Sequence, residues 1–325
     1  MSKKKGSLLT YRPDIKVVDA TIRDGGLVND FRFTEEFVKD LYATNIKAGV
    51  DYMEFGYKAS KEIFNVDEFG PWKFCDEDDV RRIVGDNDSP MKLAFMADVG
   101  RCDYKNDFIS ASESAFDLIR IATYINSIPA ALDMVEHAHN LGYETTLNIM
   151  AVSTAKESEV AEALNLISQS PVDGIYIVDS YGSMYMEQVD ELADKYLAMA
   201  EENGKFVGMH AHNNQQLAFA NTIAALTRGV SYLDCTIGGM GRGAGNCSTE
   251  QLLGFLKNPK YDIIPVLKFL EKHIEPLKEA GVVWGYNIPY LLTGQTNQHP
   301  RTAIAATKEN RTDYLNFLLE LNDKD

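Results

Sequence analysis

Three consecutive segments decide the fold: GIYIVDS over residues 174–180, MEQVDELADKYLAMAEENG over 186–204, and KFVGMHAHN over 205–213. The first and third are short apolar runs rich in β-branched residues, the signature of buried strands. The middle one reads as a helical pattern and stops at Gly204, a residue suited to ending a helix. A strand, a helix and a second strand in this order make a right-handed crossover between parallel strands.

The same unit recurs on both sides. Upstream lie KVVDATI (16–22), YMEFGY (52–57), MKLAFMAD (91–98), FDLIRIAT (116–123) and ETTLNIMAV (144–152), and downstream lies YLDCTIGG (232–239). Helical patterns fill the gaps at 34–49, 129–142 and 214–229, each closed by a glycine. Thr34 ahead of Glu35 and Glu36 suits a helix start, with acids at the positive end of the dipole. Eight such units in about 240 residues predict a single (β/α)8 TIM barrel, with a doubly wound sheet as the alternative. The expected organisation is an N-terminal tail (1–14), a barrel (15–257) and a small C-terminal helical extension (258–325).

A net charge of −16 over 325 residues argues against a nucleic-acid partner, which calls for a basic surface. The one basic cluster, Lys3-Lys4-Lys5, reads as a solvated tail. No apolar run reaches the roughly 20 residues of a membrane helix. The N-terminus has no apolar core of a signal peptide, so the expected location is cytoplasmic. Cys75, Cys102, Cys235 and Cys247 lack metal or redox spacing and read as reduced thiols.

Barrel enzymes place their chemistry where strands end. Strand one ends in Asp19-Ala20-Thr21-Ile22-Arg23-Asp24-Gly25-Gly26, where the glycines are expected to permit a sharp turn and close approach of a ligand. Strand seven carries His210 and His212 two residues apart, which points both imidazoles to one side. With a carboxylate from another strand end they form a site for manganese, magnesium, zinc or iron. Gly238-Gly239-Met240-Gly241-Arg242-Gly243-Ala244-Gly245-Asn246 follows strand eight and suits an anion cradle or a mobile loop. It lacks the acidic strand end that a dinucleotide site requires.

Together, DATIRDGG at 19–26, HAHN at 210–213 and GMGRGAGN at 239–246 resemble the DRE-TIM metallolyase family, in the same order and on the same strands. That family includes 4-hydroxy-2-oxovalerate aldolase, hydroxymethylglutaryl-CoA lyase and isopropylmalate and homocitrate synthases. The sequence looks most like the aldolase-type members, and WGYNIPY (284–290) and NQHP (297–300) share that look. The resemblance implies a Mn2+ or Mg2+ cofactor held by Asp24, His210 and His212, with Asn246 as a further or supporting ligand. It implies that Arg23 meets the oxygen where enolate charge develops and that Ser180 helps to seat a 2-oxo acid. The implied activity is a metal-dependent, class II aldolase that cleaves a 4-hydroxy-2-oxo acid to pyruvate and an aldehyde, or the reverse. Alternatives are a Claisen-type acyl-CoA condensing transferase and a non-catalytic metal-binding barrel. A homo-oligomer is expected, while an aldehyde-consuming dehydrogenase partner is not readable.

The chain departs from the family pattern at three positions. Leu27 stands where the aldolases carry an acid/base histidine, Gly26 where the synthases carry glutamate, and Met240 nearest the lyase cysteine. Candidates for the missing proton carrier are Tyr286, Tyr290 and His299, together with Glu54 and Tyr57 of strand two. Glu54, as a buried carboxylate in need of a partner, is expected to act on the substrate side through Arg23. Lys58 is the candidate for a Schiff-base alternative, residues 64–72 for a lid, and loops 58–76 and 99–112 for specificity.

Overall fold

The computed structural model describes residues 9–323, so Lys3-Lys4-Lys5 lies outside the described residues. Eight strands close a parallel barrel in chain order. They are β1 (Lys16–Asp19), β2 (Tyr52–Tyr57), β3 (Lys92–Asp98), β4 (Leu118–Tyr124), β5 (Glu144–Met150), β6 (Gly174–Asp179), β7 (Phe206–Ala211) and β8 (Tyr232–Cys235). The ring closes where Val17 pairs with Leu233 and Asp19 with Cys235. The doubly wound alternative is thereby excluded.

Helices follow the strands: α1 (Thr21–Asn29), α2 (Glu35–Ala48), α3 (Glu77–Val84), α4 (Tyr104–Asp107), α5 (Ile128–Asn140), α6 (Glu157–Ser168), α7 (Met186–Glu202), α8 (Ala218–Arg228) and α9 (Thr249–Phe255). Helix α2 starts and stops as its sequence predicts. The Thr34 side chain accepts from the Phe37 amide, and Gly49 ends the helix in the left-handed conformation. After the barrel come α10 (Ile264–Phe269), a π-helical turn (Leu270–Ile274), α11 (Glu275–Glu279), α12 (Ile288–Gln295), α13 (Arg301–Lys308) and α14 (Tyr314–Asn322). Helices α12 to α14 build a small core of their own from Tyr290, Leu292, Ala303, Ala306, Phe317 and Leu321.

One expectation fails locally. The segment after β1 does not turn at Gly25-Gly26; α1 runs straight through both. The glycines serve packing instead. A Cβ on Gly26 would lie 2.2 Å from the Phe31 ring, and one on Gly25 would press on Met240 at 3.0 Å.

Strand alternation sorts side chains between two cores. Val17, Met53, Leu93 and Ile119 join the large apolar layer between strands and helices. Their neighbours Val18, Tyr52, Ala94 and Leu118 form a separate small cluster inside the barrel. Continuing at period two along the inner face leads to Glu54, Arg120 and Asp234, all fully or almost fully buried. Gly208 pairs with Tyr176 across β6–β7 and makes room for its ring, because a Cβ there would sit 2.3 Å from it. The Arg120 guanidinium stacks 4.4 Å over that ring.

Asp19, the last residue of β1, is buried and accepts a 2.5 Å hydrogen bond from Thr21 Oγ1. Burial pushes its carboxyl up to about 7, with Thr21 and Asn45 opposing. The folded state therefore keeps a proton that the unfolded chain releases near pH 4, and stability falls as pH rises from there through about 7. Asp19→Asn removes this loss. Its thermal-unfolding advantage over the parent should be larger at pH 8 than at pH 5, by on the order of 2 kcal/mol.

Candidate functional site

The C-terminal ends of the strands converge on a cavity of about 60 Å³ that Asp24, His210, His212, Arg23, Tyr57 and Arg242 line. Leu27, Met96, Ala122, Met150 and Val178 supply apolar wall, and Asn148 and Ser180 two further polar groups. The free space suits a molecule of three or four carbons; pockets for drug-sized ligands run to roughly 300–1,000 Å³.

Ligand atoms of Asp24, His210 and His212 lie within 4.8 Å of one another, and all three residues are buried. His210 Nδ1 lies 2.9 Å from Asp234 Oδ2. Because a carboxylate only accepts, this nitrogen carries the proton and Nε2 presents a lone pair. Nε2 is buried with no partner among the described residues, as an atom meant for a cation would be. Burial drives His212 down to about 3 against the pull of Asp24, so its imidazole is neutral. Burial opposes ionisation of Asp24, yet the guanidinium charges of Arg23 and Arg242 hold it well below the usual carboxylate range. One carboxylate and two imidazoles fit a divalent cation with open positions.

Asn246 donates its amide to Asp24 Oδ2 at 2.5 Å and to the Met240 carbonyl at 3.2 Å, while its Oδ1 is buried without a partner. It thus braces Asp24. The loop reaches this position because residue 241 lacks a side chain: a Cβ there would lie 2.4 Å from Asp24 Oδ2.

A chain of buried charges lies beneath. Arg23 Nη1 donates to Asp24 Oδ1 at 2.9 Å and Nε to Glu54 Oε2 at 2.8 Å. Arg120 donates to the same Glu54 oxygen at 2.9 Å and to Asp234 Oδ2 at 2.7 Å. Asp234 then holds His210. Glu54 is 0% exposed and does not line the cavity; the structure places it as the anchor of Arg23 rather than against a substrate.

Ser180 reaches the wall, where its Oγ accepts from the Ala151 amide at 2.9 Å. Tyr57 also lines the cavity, while Tyr286, Tyr290, His299 and Lys58 do not. Tyr286 is 44% exposed, and Tyr290 is buried in the α12–α14 core. His299 packs edge-on against Tyr181 at 5.6 Å, its Nδ1 accepting from the Arg301 amide. Burial, with the charges of Arg242 and Arg301, lowers its imidazole to about 4. Lys58 donates to the Cys75 carbonyl at 3.1 Å and is absent from the wall. No residue of the segment expected as a lid (64–72) lines the cavity, and its Gly70 amide bonds to the Asp30 carbonyl at 2.8 Å.

Sequence reasoning missed Arg120, Asp234 and the Arg242 side chain. The first two were signalled by lone charges in the apolar runs FDLIRIAT and YLDC, since a buried charge demands a partner. Arg242 donates Nη2 to the Ser180 carbonyl at 3.2 Å, and its Nε is buried and unpartnered among the described residues.

Fold and site define a (β/α)8 barrel enzyme with a carboxylate–bis-imidazole centre beside an anchored arginine. The HMGL-like family matches residues 14–271, and the chain belongs to that family. It is 29% identical over 287 residues to a 4-hydroxy-2-oxovalerate aldolase of Pelotomaculum thermopropionicum, covering 84% of this chain and 82% of the relative. It is likewise 29% identical over 252 residues to an oxaloacetate decarboxylase of Mycobacterium tuberculosis, covering 76% and 71%. An N-terminal domain from Bacteroides vulgatus superposes with a TM-score of 0.74 at 26% identity, covering 90% of this chain and 97% of that one.

Arg120→Met leaves Glu54 and Asp234 buried with one cationic partner fewer between them. It should destabilise the fold by roughly 3–5 kcal/mol in urea unfolding. A loss below about 1 kcal/mol would show that the charge chain is not a structural tie.

Proposed function

We propose that the chain is a divalent-cation-dependent carbon–carbon lyase acting next to a 2-oxo acid, cleaving a 4-hydroxy-2-oxo acid to pyruvate and an aldehyde or joining the two. The observation that carries this reading is Arg23, fixed by Glu54 and Asp24, facing the same small cavity as the donor set of Asp24, His210 and His212. A cation bound there, manganese or magnesium, supplies a Lewis acid for the 2-oxo group. Arg23 lies where negative charge develops as the carbonyl becomes an enolate, and such an interaction is worth about 3–4 kcal/mol in a dry site. Arg242, tethered to the Ser180 carbonyl with Nε still free, offers a charged donor for the substrate carboxylate.

The wall favours a second reading, decarboxylation of a 2-oxo acid with a carboxylate on C3. That reaction yields the same enolate without a base to remove a hydroxyl proton, and Leu27 supplies none. The name of the Mycobacterium tuberculosis relative supports it. Claisen condensation is disfavoured by Gly26 and by the small cavity.

Proton NMR of pyruvate in deuterium oxide tests the shared enolate. Methyl protons should exchange with Mg2+-loaded enzyme, stop after chelation and resume when the metal is restored; equal exchange with and without metal would end the reading. Arg242→Met should weaken oxalate, a dicarboxylate mimic of the pyruvate enolate, by about tenfold in titration calorimetry on the Mg2+-loaded protein.

A further inference from the structure

The lyase reading leaves proton transfer without an owner, and above all the enolate must be quenched by a proton. Position 27 is leucine, whose side chain lines the cavity and carries no exchangeable proton. Asp24, His210 and His212 are committed to the cation, and arginines do not release protons in proteins. The Asn148 amide exchanges none usefully, and the remaining wall is apolar. Two hydroxyls are left, those of Ser180 and Tyr57. Ser180 already accepts from the Ala151 amide, and an aliphatic alcohol is a far weaker acid than a phenol.

Tyr57 ends β2 on the cavity wall, and its hydroxyl has no hydrogen-bond partner among the described residues. Its ring is held from two sides. Phe31 meets it edge-on at 5.7 Å, and the Lys73 ammonium sits 4.7 Å over its face. Lys73 is itself buried, with Phe64 and Phe69 at 4.1 and 5.5 Å completing an aromatic enclosure. The folded 58–76 loop thereby fixes a ring whose polar end is left free for a ligand.

We infer that Tyr57 is the proton donor of the reaction, delivering its hydroxyl proton to the substrate atom on which the electron pair arrives. The inference rests on the lyase reading above. When pyruvate forms, the enolate pair makes a new C3–H bond with the Tyr57 proton. The phenol O–H bond breaks and its electrons stay on the phenolate oxygen, which regains a proton from water after decarboxylation or from the 4-hydroxyl of the next substrate in aldol cleavage. In condensation the same transfer first runs backwards, the pyruvate C3–H bond breaking and its proton passing to the phenolate, and the phenol so formed then protonates the aldehyde oxygen as the carbon–carbon bond forms. Burial keeps the resting phenol protonated, as a donor must be. Asp98, Asp24 and Glu54 act in the same direction, and the Arg23 charge opposes them and supports the transient phenolate.

Tyr57→Phe tests this on the Mg2+-loaded enzyme. Exchange of pyruvate methyl protons, the same transfer run in both directions, should slow about 100-fold or more while oxalate affinity stays within about threefold. Exchange within about threefold of the parent would overturn the inference, and so would a loss of oxalate affinity matching the loss of rate. A second readout needs no turnover. In protein labelled with 13Cζ-tyrosine, the resonance that Tyr57→Phe deletes should shift when oxalate joins the Mg2+-loaded parent, and an unmoved resonance refutes the contact. A parent enzyme that exchanges nothing would instead sink the lyase reading, with the resonance shift left to decide on Tyr57.

Discussion

The bonded chain from Arg23 through Glu54, Arg120 and Asp234 to His210 is the constraint on which the rest of this barrel depends. Its members come from β2, β4, β7, β8 and the first turn of α1, so the links span the barrel interior. Two cations alternate with two anions, which is how five polar side chains remain buried without an isolated charge. Each link also has a chemical consequence. Glu54 fixes where Arg23 points, and Asp234 fixes which nitrogen of His210 is free. Interior charge and rim chemistry are therefore one structure.

That arrangement explains why the apolar core lies outside the strands. The large cluster between strands and helices carries the hydrophobic burial, while the barrel interior holds only a small apolar plug around Tyr52 and Leu118. Above the plug the interior is polar and rigid, as a site must be if its groups are to be aimed before substrate arrives. The glycine-rich loop after β8 closes the site by contact: Asn246 grips Asp24, and Arg242 reaches over to Ser180. The wall beneath this loop sets Leu27 and a caged tyrosine of β2 beside Arg23 and the carboxylate–bis-histidine set.

Much of the site was legible because its signals are local. His210 and His212 share a face by strand period alone, and Asp24 beside Arg23 stands out at the end of the first apolar run. What escaped was long-range. Tyr286, Tyr290 and His299 were attractive by residue type, but α12 is built around its own small core and turns Tyr290 into it. Gly25-Gly26 looked like a turn because glycine permits one. The helix that runs through them answers to Phe31 and Met240, neighbours that become visible only once the chain is folded.

The sequence by itself determined the alternation of strands and helices, the barrel and the presence of a carboxylate–bis-histidine set. These follow from periodicity and strand-end chemistry, which act over a few residues. Only the tertiary structure decided that Arg120 ties β4 to β8 through Asp234, and that Tyr57 and Arg242 share the cavity with the candidate ligands Asp24, His210 and His212. Those outcomes depend on which strands meet inside a closed ring. Closure sets distances between residues as far apart as Asp24 and Asn246, and no local pattern encodes them.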